Sequence, residues 1–136
     1  MINFFLIGSS GYIAKKHVEC IYKLNGNLKV ACDVKTDGFL DRYFPDTQFV
    51  VNPSRFFSKV KTFNGKKKLI ICTPNYLHLK HIILGFKAGC DVLCEKPPVL
   101  KVEHLKKIKQ AEKKYKKKCF FVLQLRHDEN ILKLRK

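Results

Sequence analysis

The sequence predicts an α/β fold: a doubly wound parallel sheet of about six strands with helices on both faces. Three observations predict it. An apolar run near the start, Asn3-Phe4-Phe5-Leu6-Ile7, meets the small-residue turn Gly8-Ser9-Ser10-Gly11 and opens at once into a helical pattern, the strand–turn–helix order of a βαβ unit. Apolar runs of strand length then alternate with helical stripes along the chain, as parallel strands joined by crossover helices require. Lastly, polar groups gather where the strand-like runs end: the glycine turn, Asp33, Thr73-Pro74-Asn75, Glu95-Lys96 and Gln124. In an open parallel sheet, ligands bind outside that carboxyl edge.

The turn has the spacing G-x-x-G-x-x-A. Gly8 makes the reversal, Gly11 lets the backbone approach a pyrophosphate without a Cβ in the way, and Ala14 lets the helix lie close to the sheet. The unpaired N–H groups at the start of that helix, and its dipole, favour the phosphates' negative charge. Ala14, His17, Val18, Ile21 and Tyr22 fall on one helical face, and Asn25-Gly26-Asn27 supplies the stop. The second strand, Leu28 to Cys32, closes on Asp33. An acidic residue at the end of the second strand is where a ribose 2′-hydroxyl is bound, and its charge repels a 2′-phosphate. NAD is therefore expected over NADP.

A polar connection through Gly38 leads to Phe39-Leu40-Asp41-Arg42-Tyr43-Phe44, a short helix stopped before Pro45. Gln48 to Val51 is a brief third strand. Pro53-Ser54 opens a helix that packs Phe56, Phe57, Val60 and Phe63 inward and ends at Asn64-Gly65. Leu69-Ile70-Ile71-Cys72 lacks polar alternation, as expected of a strand covered on both faces. The next helix carries Leu77, His81, Leu84 and Ala88 on its stripe and ends at Gly89. Cys90 to Cys94 is the fifth strand. A lysine-rich helix follows, with Leu105, Ile108, Glu112 and Tyr115 on one stripe, and Cys119 to Leu123 is the sixth strand. His17 and His81, on apolar stripes, are expected to be packed and satisfied. His104 and His127 carry no functional argument.

The 136 residues make a single domain, 1–136, and with 46% hydrophobic and 12% aromatic residues it should be globular. The early apolar run is too short for a signal peptide or a membrane span, so the expected location is the cytosol. No C-x-x-C pair occurs among the six cysteines. Reduced, buried thiols are expected, with no metal site. The formal charge of +17 comes mostly from lysines, clustered at Lys66-Lys67-Lys68 and from Lys106 to Lys118. Without aromatic interleaving or a binding motif they read as solvated helix faces that attract anionic ligands, not as a nucleic-acid surface.

At Glu95-Lys96-Pro97 the chain resembles the N-terminal domain of the Gfo/Idh/MocA oxidoreductases. The Gly8-to-Ala14 turn, Thr73-Pro74-Asn75 with His78, and Glu95-Lys96-Pro97 stand in that family's order and spacing over nearly the whole chain. Tyr43-Phe44-Pro45-Asp46, Pro74-Asn75-Tyr76-Leu77-His78 and Leu123-Gln124-Leu125-Arg126 are similar, more narrowly, to bacterial dehydrogenases that oxidise the 3-hydroxyl of UDP-N-acetylglucosaminuronic acid for surface polysaccharides. The resemblance implies a set of roles. The backbone from Ser10 through Gly11, Tyr12 and Ile13 binds the NAD pyrophosphate, and Asp33 the adenosine ribose. Thr73, Pro74, Asn75 and His78 line the middle of the cofactor, and Glu95 reaches the nicotinamide-side ribose. Lys96 lies beside the nicotinamide as the catalytic residue, contacting the hydroxyl to be oxidised, with Gln124 bordering the same place.

The sequence departs from the family at Pro98, where relatives carry a larger apolar residue, and from His127 onward. The family also continues into a second α/β domain that supplies most of the substrate pocket and the oligomer interface. That domain is expected to be absent here, leaving cofactor affinity with little turnover and exposed apolar surface that favours self-association. A UDP-sugar would bind only when a second domain completes the site. A non-catalytic nucleotide-binding or regulatory module would keep Asp33 and the glycine turn without needing Lys96. A basic nucleic-acid-associated protein would ignore NAD and lose affinity steeply with salt.

Overall fold

A computed structural model of the chain describes residues 2–124, Asp128, Leu132 and Lys133. Its strands are β1 (Ile2–Ile7), β2 (Asn27–Cys32), β3 (Gln48–Val50), β4 (Lys66–Ile71), β5 (Asp91–Cys94) and β6 (Cys119–Phe121). Among the described residues four α-helices connect them: α1 (Tyr12–Lys23), α2 (Pro53–Thr62), α3 (His78–Lys87) and α4 (Val102–Tyr115). The strands form one sheet in the order β3-β2-β1-β4-β5-β6, with all neighbours parallel. The winding reverses between β1 and β4. There the connections leave toward opposite faces, and a crevice opens at the carboxyl edge.

Side-chain alternation along the strands divides the core into two layers. Phe5, Ile7, Leu69, Ile71 and Val92 face α2, α3 and α4, meeting Phe56, Val60, Ile82, Phe86 and Ile108. Leu6, Leu28, Ala31 and Ile70 face α1, meeting Ala14, Val18 and Ile21, with Leu40 closing the edge. Phe5, Phe56 and Phe86 are almost wholly buried, each stabilising the fold by roughly 1.5–3 kcal/mol. On the α1 side, Ile2, Phe4, Ile70, Leu93 and Phe120 line a shallow apolar depression over β4 to β6.

Four local expectations need correction. The Lys66-Lys67-Lys68 cluster is the first half of β4 and not a helix face: its backbone pairs with Ile2, Asn3 and Phe4 of β1. The lysines are tolerated because their ammonium groups escape the sheet, Lys68 to Asp91 at 2.9 Å and Lys67 to the Val60 carbonyl at 3.3 Å. The stripe of α3 is His78, His81, Ile82, Gly85 and Phe86, while Leu84 is only half-buried. Gly85 sets that rotation, since a Cβ there would stand 2.6 Å from Leu69 Cδ2 and 3.0 Å from Val92 Cγ2. In α4 the buried pair is Ile108 and Ala111, with Leu105 exposed. Glu112 there accepts the Cys119 N–H at 2.7 Å and so ties helix to strand. The helix expected over Phe39 to Phe44 shortens to a 3-10 turn at Leu40–Arg42.

All six cysteines are free. Burial pushes the thiols of Cys32, Cys90 and Cys119 up to about 11, 12 and 12, and those of Cys72 and Cys94 higher still. Such groups stay protonated and pack as small apolar residues. No helix among the described residues is long and apolar enough to cross a membrane.

Candidate functional site

The glycine turn is wedged between two strands. Gly8 has φ +83°, and a Cβ on it would lie 2.5–2.6 Å from the backbone of Cys72 and Thr73. The N–H groups of Gly8 and Ser9 both donate to the Cys32 carbonyl, at 2.8 and 3.2 Å, pinning the turn to the end of β2. Gly11 is the N-cap of α1 and makes no side-chain capping bond, and no acidic residue occupies the first turn. A Cβ on Gly11 would meet nothing nearer than the Gly8 carbonyl oxygen at 3.5 Å. Glycine is thus required at position 8 by the protein itself, whereas at position 11 it leaves room above the helix start. Ser9 is 2% exposed, and its Oγ is the buried side-chain oxygen without a partner among the described residues. With the turn's own N–H groups engaged in holding it, the uncapped start of α1, whose first N–H groups have no intrahelical acceptor, makes the floor of this turn a cradle suited to an anion.

Asp33 stands at the next strand end. One carboxylate oxygen accepts the Ser10 N–H at 2.8 Å and the other the Val34 N–H at 2.7 Å. Ser10 Oγ donates to the Lys35 carbonyl, fastening the turn to the same loop. Each Asp33 oxygen keeps a further lone pair for an incoming hydroxyl.

Turn and strand ends enclose a cleft of about 590 Å³, within the usual size of a small-molecule site. Gly8, Ser10 and Gly11 form one wall, Asp33, Val34 and Lys35 the second, and Thr73, Pro74, Tyr76, Leu77 and His81 the third, with Val51 and Pro53 beyond β3. Val34, Val51 and Tyr76 are 82%, 63% and 70% exposed. Apolar groups held open at the rim of this largely apolar cleft suit a flat heterocycle.

His81 supports the third wall. It is buried, its Nδ1 lies 3.0 Å from Thr73 Oγ1, and its ring tilts against Phe57. Burial, helped by Lys80 and His78, lowers its pKa from 6.5 to about 4, so the ring is neutral at pH 7. Between those values the unfolded chain binds the proton and the folded chain does not. The stability His81 contributes is therefore complete above about 6.5 and is lost as pH falls toward 4. Urea denaturation should show this as a slope of at most about 1.4 kcal/mol per pH unit. His81→Gln should flatten the slope, and an unchanged slope would contradict the assignment.

Beyond the cleft the carboxyl edge continues to β5. Glu95 is 6% exposed, and its Oε1 lies 2.6 Å from His17 Nε2. Its Oε2 accepts the Lys96 N–H at 3.3 Å. The Lys96 side chain is exposed at the same edge. His78 is 1% exposed, with one ring nitrogen 2.8 Å from the Thr73 carbonyl and the other 2.8 Å from the Pro97 carbonyl. It lies beneath the site as a strut between two loops.

Over residues 2–123 the sequence matches Gfo/Idh/MocA, an oxidoreductase family with an NAD-binding Rossmann fold. The chain belongs to this family. Similar solved structures include the WlbA (WbpB) dehydrogenase of Thermus thermophilus in complex with NAD and UDP-GlcNAcA. The likeness has a TM-score of 0.94 at 33% identity, covering 99% of this chain and 46% of that one. The WlbA dehydrogenase of Chromobacterium violaceum, in complex with NADH and UDP-GlcNAcA, matches at TM-score 0.84 and 25% identity, over 98% of this chain and 38% of that one. Among curated proteins, the D-glucoside 3-dehydrogenase of Escherichia coli K12 is 36% identical over 44 residues, 32% of this chain and 12% of that one. The chain thus spans less than half the length of these relatives.

NAD is the cofactor of the Gfo/Idh/MocA fold, and the residues present fit it: an anion cradle, an acidic residue one strand away and an apolar rim. Of the residues singled out in the sequence, Gly8, Ser10, Gly11, Asp33, Thr73 and Pro74 share the cleft. Tyr12 and Ile13 begin α1, and Asn75 begins the 3-10 turn Asn75–Leu77. Glu95 and Lys96 follow β5, and Gln124 is exposed after β6. Leu125, Arg126 and His127 lie outside the described residues. Val34, Lys35, Tyr76, Leu77 and His81 line the cleft without having been assigned to the site from the sequence, and further contributions escaped it as well. Val51 and Pro53 follow the third strand, and the rule that ligands meet strand carboxyl ends could have found them. The His17–Glu95 pair spans 78 residues, and nothing local signals it.

Asp33→Ala should weaken NAD binding by roughly 10–100-fold, the loss of one charged hydrogen-bond acceptor. It should also narrow the preference over NADP. Calorimetric titration of the purified chain with both cofactors checks this, and unchanged NAD affinity would rule out the ribose contact.

Proposed function

We propose that the chain is the cofactor half of a sugar-nucleotide dehydrogenase that oxidises the 3-hydroxyl of a UDP-N-acetylhexosaminuronate. The observation that carries this reading is the TM-score of 0.94 over 99% of the chain with a dehydrogenase crystallised with NAD and UDP-GlcNAcA. Lys96 stands beside the buried Glu95 at the carboxyl edge, which is consistent with it.

In this reading the first-turn backbone from Ser10 to Ile13 holds the cofactor's pyrophosphate and Asp33 its adenosine ribose. Thr73, Pro74 and Asn75 border its middle, with His78 holding their loop from behind. Glu95 accepts a hydroxyl of the second ribose, and Gln124 borders the sugar. When bound, NAD accepts the hydride that leaves the carbinol carbon. Lys96 Nζ hydrogen-bonds the hydroxyl oxygen, stabilises the negative charge that grows on it and relays its proton to solvent. The buried carboxylate behind Lys96 limits where its backbone can move. The 136 residues supply this cofactor side, and the walls that select the sugar nucleotide come from a second domain.

The test is a fusion of residues 1–124 to the second domain of the Thermus thermophilus relative. NADH formation is followed with UDP-N-acetylglucosaminuronate and, separately, with a free sugar. Turnover of the UDP-sugar is expected. Its absence from a folded, NAD-binding fusion would sink the reading.

A further inference from the structure

We propose that His17 is a positioning residue for the nicotinamide end of the cofactor: through Glu95 it couples the pyrophosphate-binding helix to the loop that carries Lys96. This rests on the reading above in one respect, the contact of Glu95 with the second ribose. His17 lies in the second turn of α1, the helix whose uncapped start faces the anion cradle. Its Nε2 meets Glu95 Oε1 at 2.6 Å, with the two side chains only 14% and 8% exposed. A carboxylate so buried is costly unless a donor compensates it. His17 supplies that donor, and the Lys96 N–H provides a longer second contact at 3.3 Å.

The Glu95 backbone is fixed independently, its N–H donating to the Ile71 carbonyl at 3.0 Å and extending the β4–β5 ladder. With the main chain held, the direction of the carboxylate depends on His17. A carboxylate offers about four lone-pair sites. Engaging one with His17 and one with Lys96 N–H leaves sites for a ribose hydroxyl, so the pair need not open for cofactor to enter. Helix α1 does not need the pair for docking, because Ala14, Val18 and Ile21 already bury its face. The bond therefore aims Glu95 more than it glues the helix.

The experiment is calorimetric titration of the purified chain with NAD and with ADP, which shares the adenosine and pyrophosphate but lacks the second ribose. His17→Leu, His17→Gln and Glu95→Gln are compared with the parent. His17→Leu should weaken NAD by about tenfold or more and leave ADP within about twofold. His17→Gln, whose Nε2 can still donate, should recover most of the loss. Equal losses for NAD and ADP would mean that His17 only holds the fold, and the inference fails. If Glu95→Gln weakens NAD selectively but His17→Leu does not, the inference fails while the role of Glu95 stands. If Glu95→Gln leaves the NAD-to-ADP ratio unchanged, the ribose contact itself is wrong, and the inference falls with it.

Discussion

Gly8→Ala is expected to cost roughly 3–5 kcal/mol of folding stability and to abolish measurable NAD binding. Two effects add at this position. The backbone has φ +83°, and the new methyl group would sit 2.5–2.6 Å from main-chain atoms of Cys72 and Thr73. Neither can give way cheaply, because Cys72 N–H is bonded to the Ile7 carbonyl at 2.8 Å and the Thr73 carbonyl is held by His78. The turn would have to leave the end of β4, opening the cleft where Gly8 meets Cys72 and Thr73. A domain of this size has only about 5–15 kcal/mol to lose. Gly38→Ala is the control. Its φ is +73° but nothing lies within 4 Å of its added Cβ, so only the backbone strain of about 1–3 kcal/mol applies. Urea midpoints followed by circular dichroism distinguish the two. A Gly8→Ala midpoint no lower than that of Gly38→Ala would refute the clash.

Lys96→Met in the fusion should lower kcat by roughly 10²–10⁴-fold, the range for losing a general acid–base group, with NAD affinity nearly unchanged. Methionine keeps the length and apolar stem of the side chain but can neither donate a hydrogen bond nor carry a proton. Because Lys96 is exposed, its removal should not disturb the core, so the urea midpoint should stay close to that of the parent. Steady-state rates and cofactor titration separate these outcomes. A kcat within a fewfold of the parent would remove Lys96 from the chemistry and leave the domain with a binding role only.

The sequence by itself determined the elements and the edge at which they meet a ligand. The Gly8-Ser9-Ser10-Gly11 turn, Asp33, Thr73-Pro74 and Glu95-Lys96 were legible because each ends an apolar run, and in a parallel sheet strand ends share one edge. Element type followed from period and from local stops such as Gly26 and Gly89. The rotation of α3 and α4 was not legible. Several apolar stripes fit their residues; the close seat of Gly85 on Leu69 and Val92 selects the one in α3, and burial of Ile108 and Ala111 against the sheet selects the one in α4. The length of β4 was hidden as well, because three lysines give no apolar signal and take strand form only when β1 offers its backbone. Only the tertiary structure could pair His17 with Glu95, or set His78 between the Thr73 and Pro97 carbonyls. Such bonds join residues far apart in the chain, and their geometry exists only after the sheet has ordered its strands.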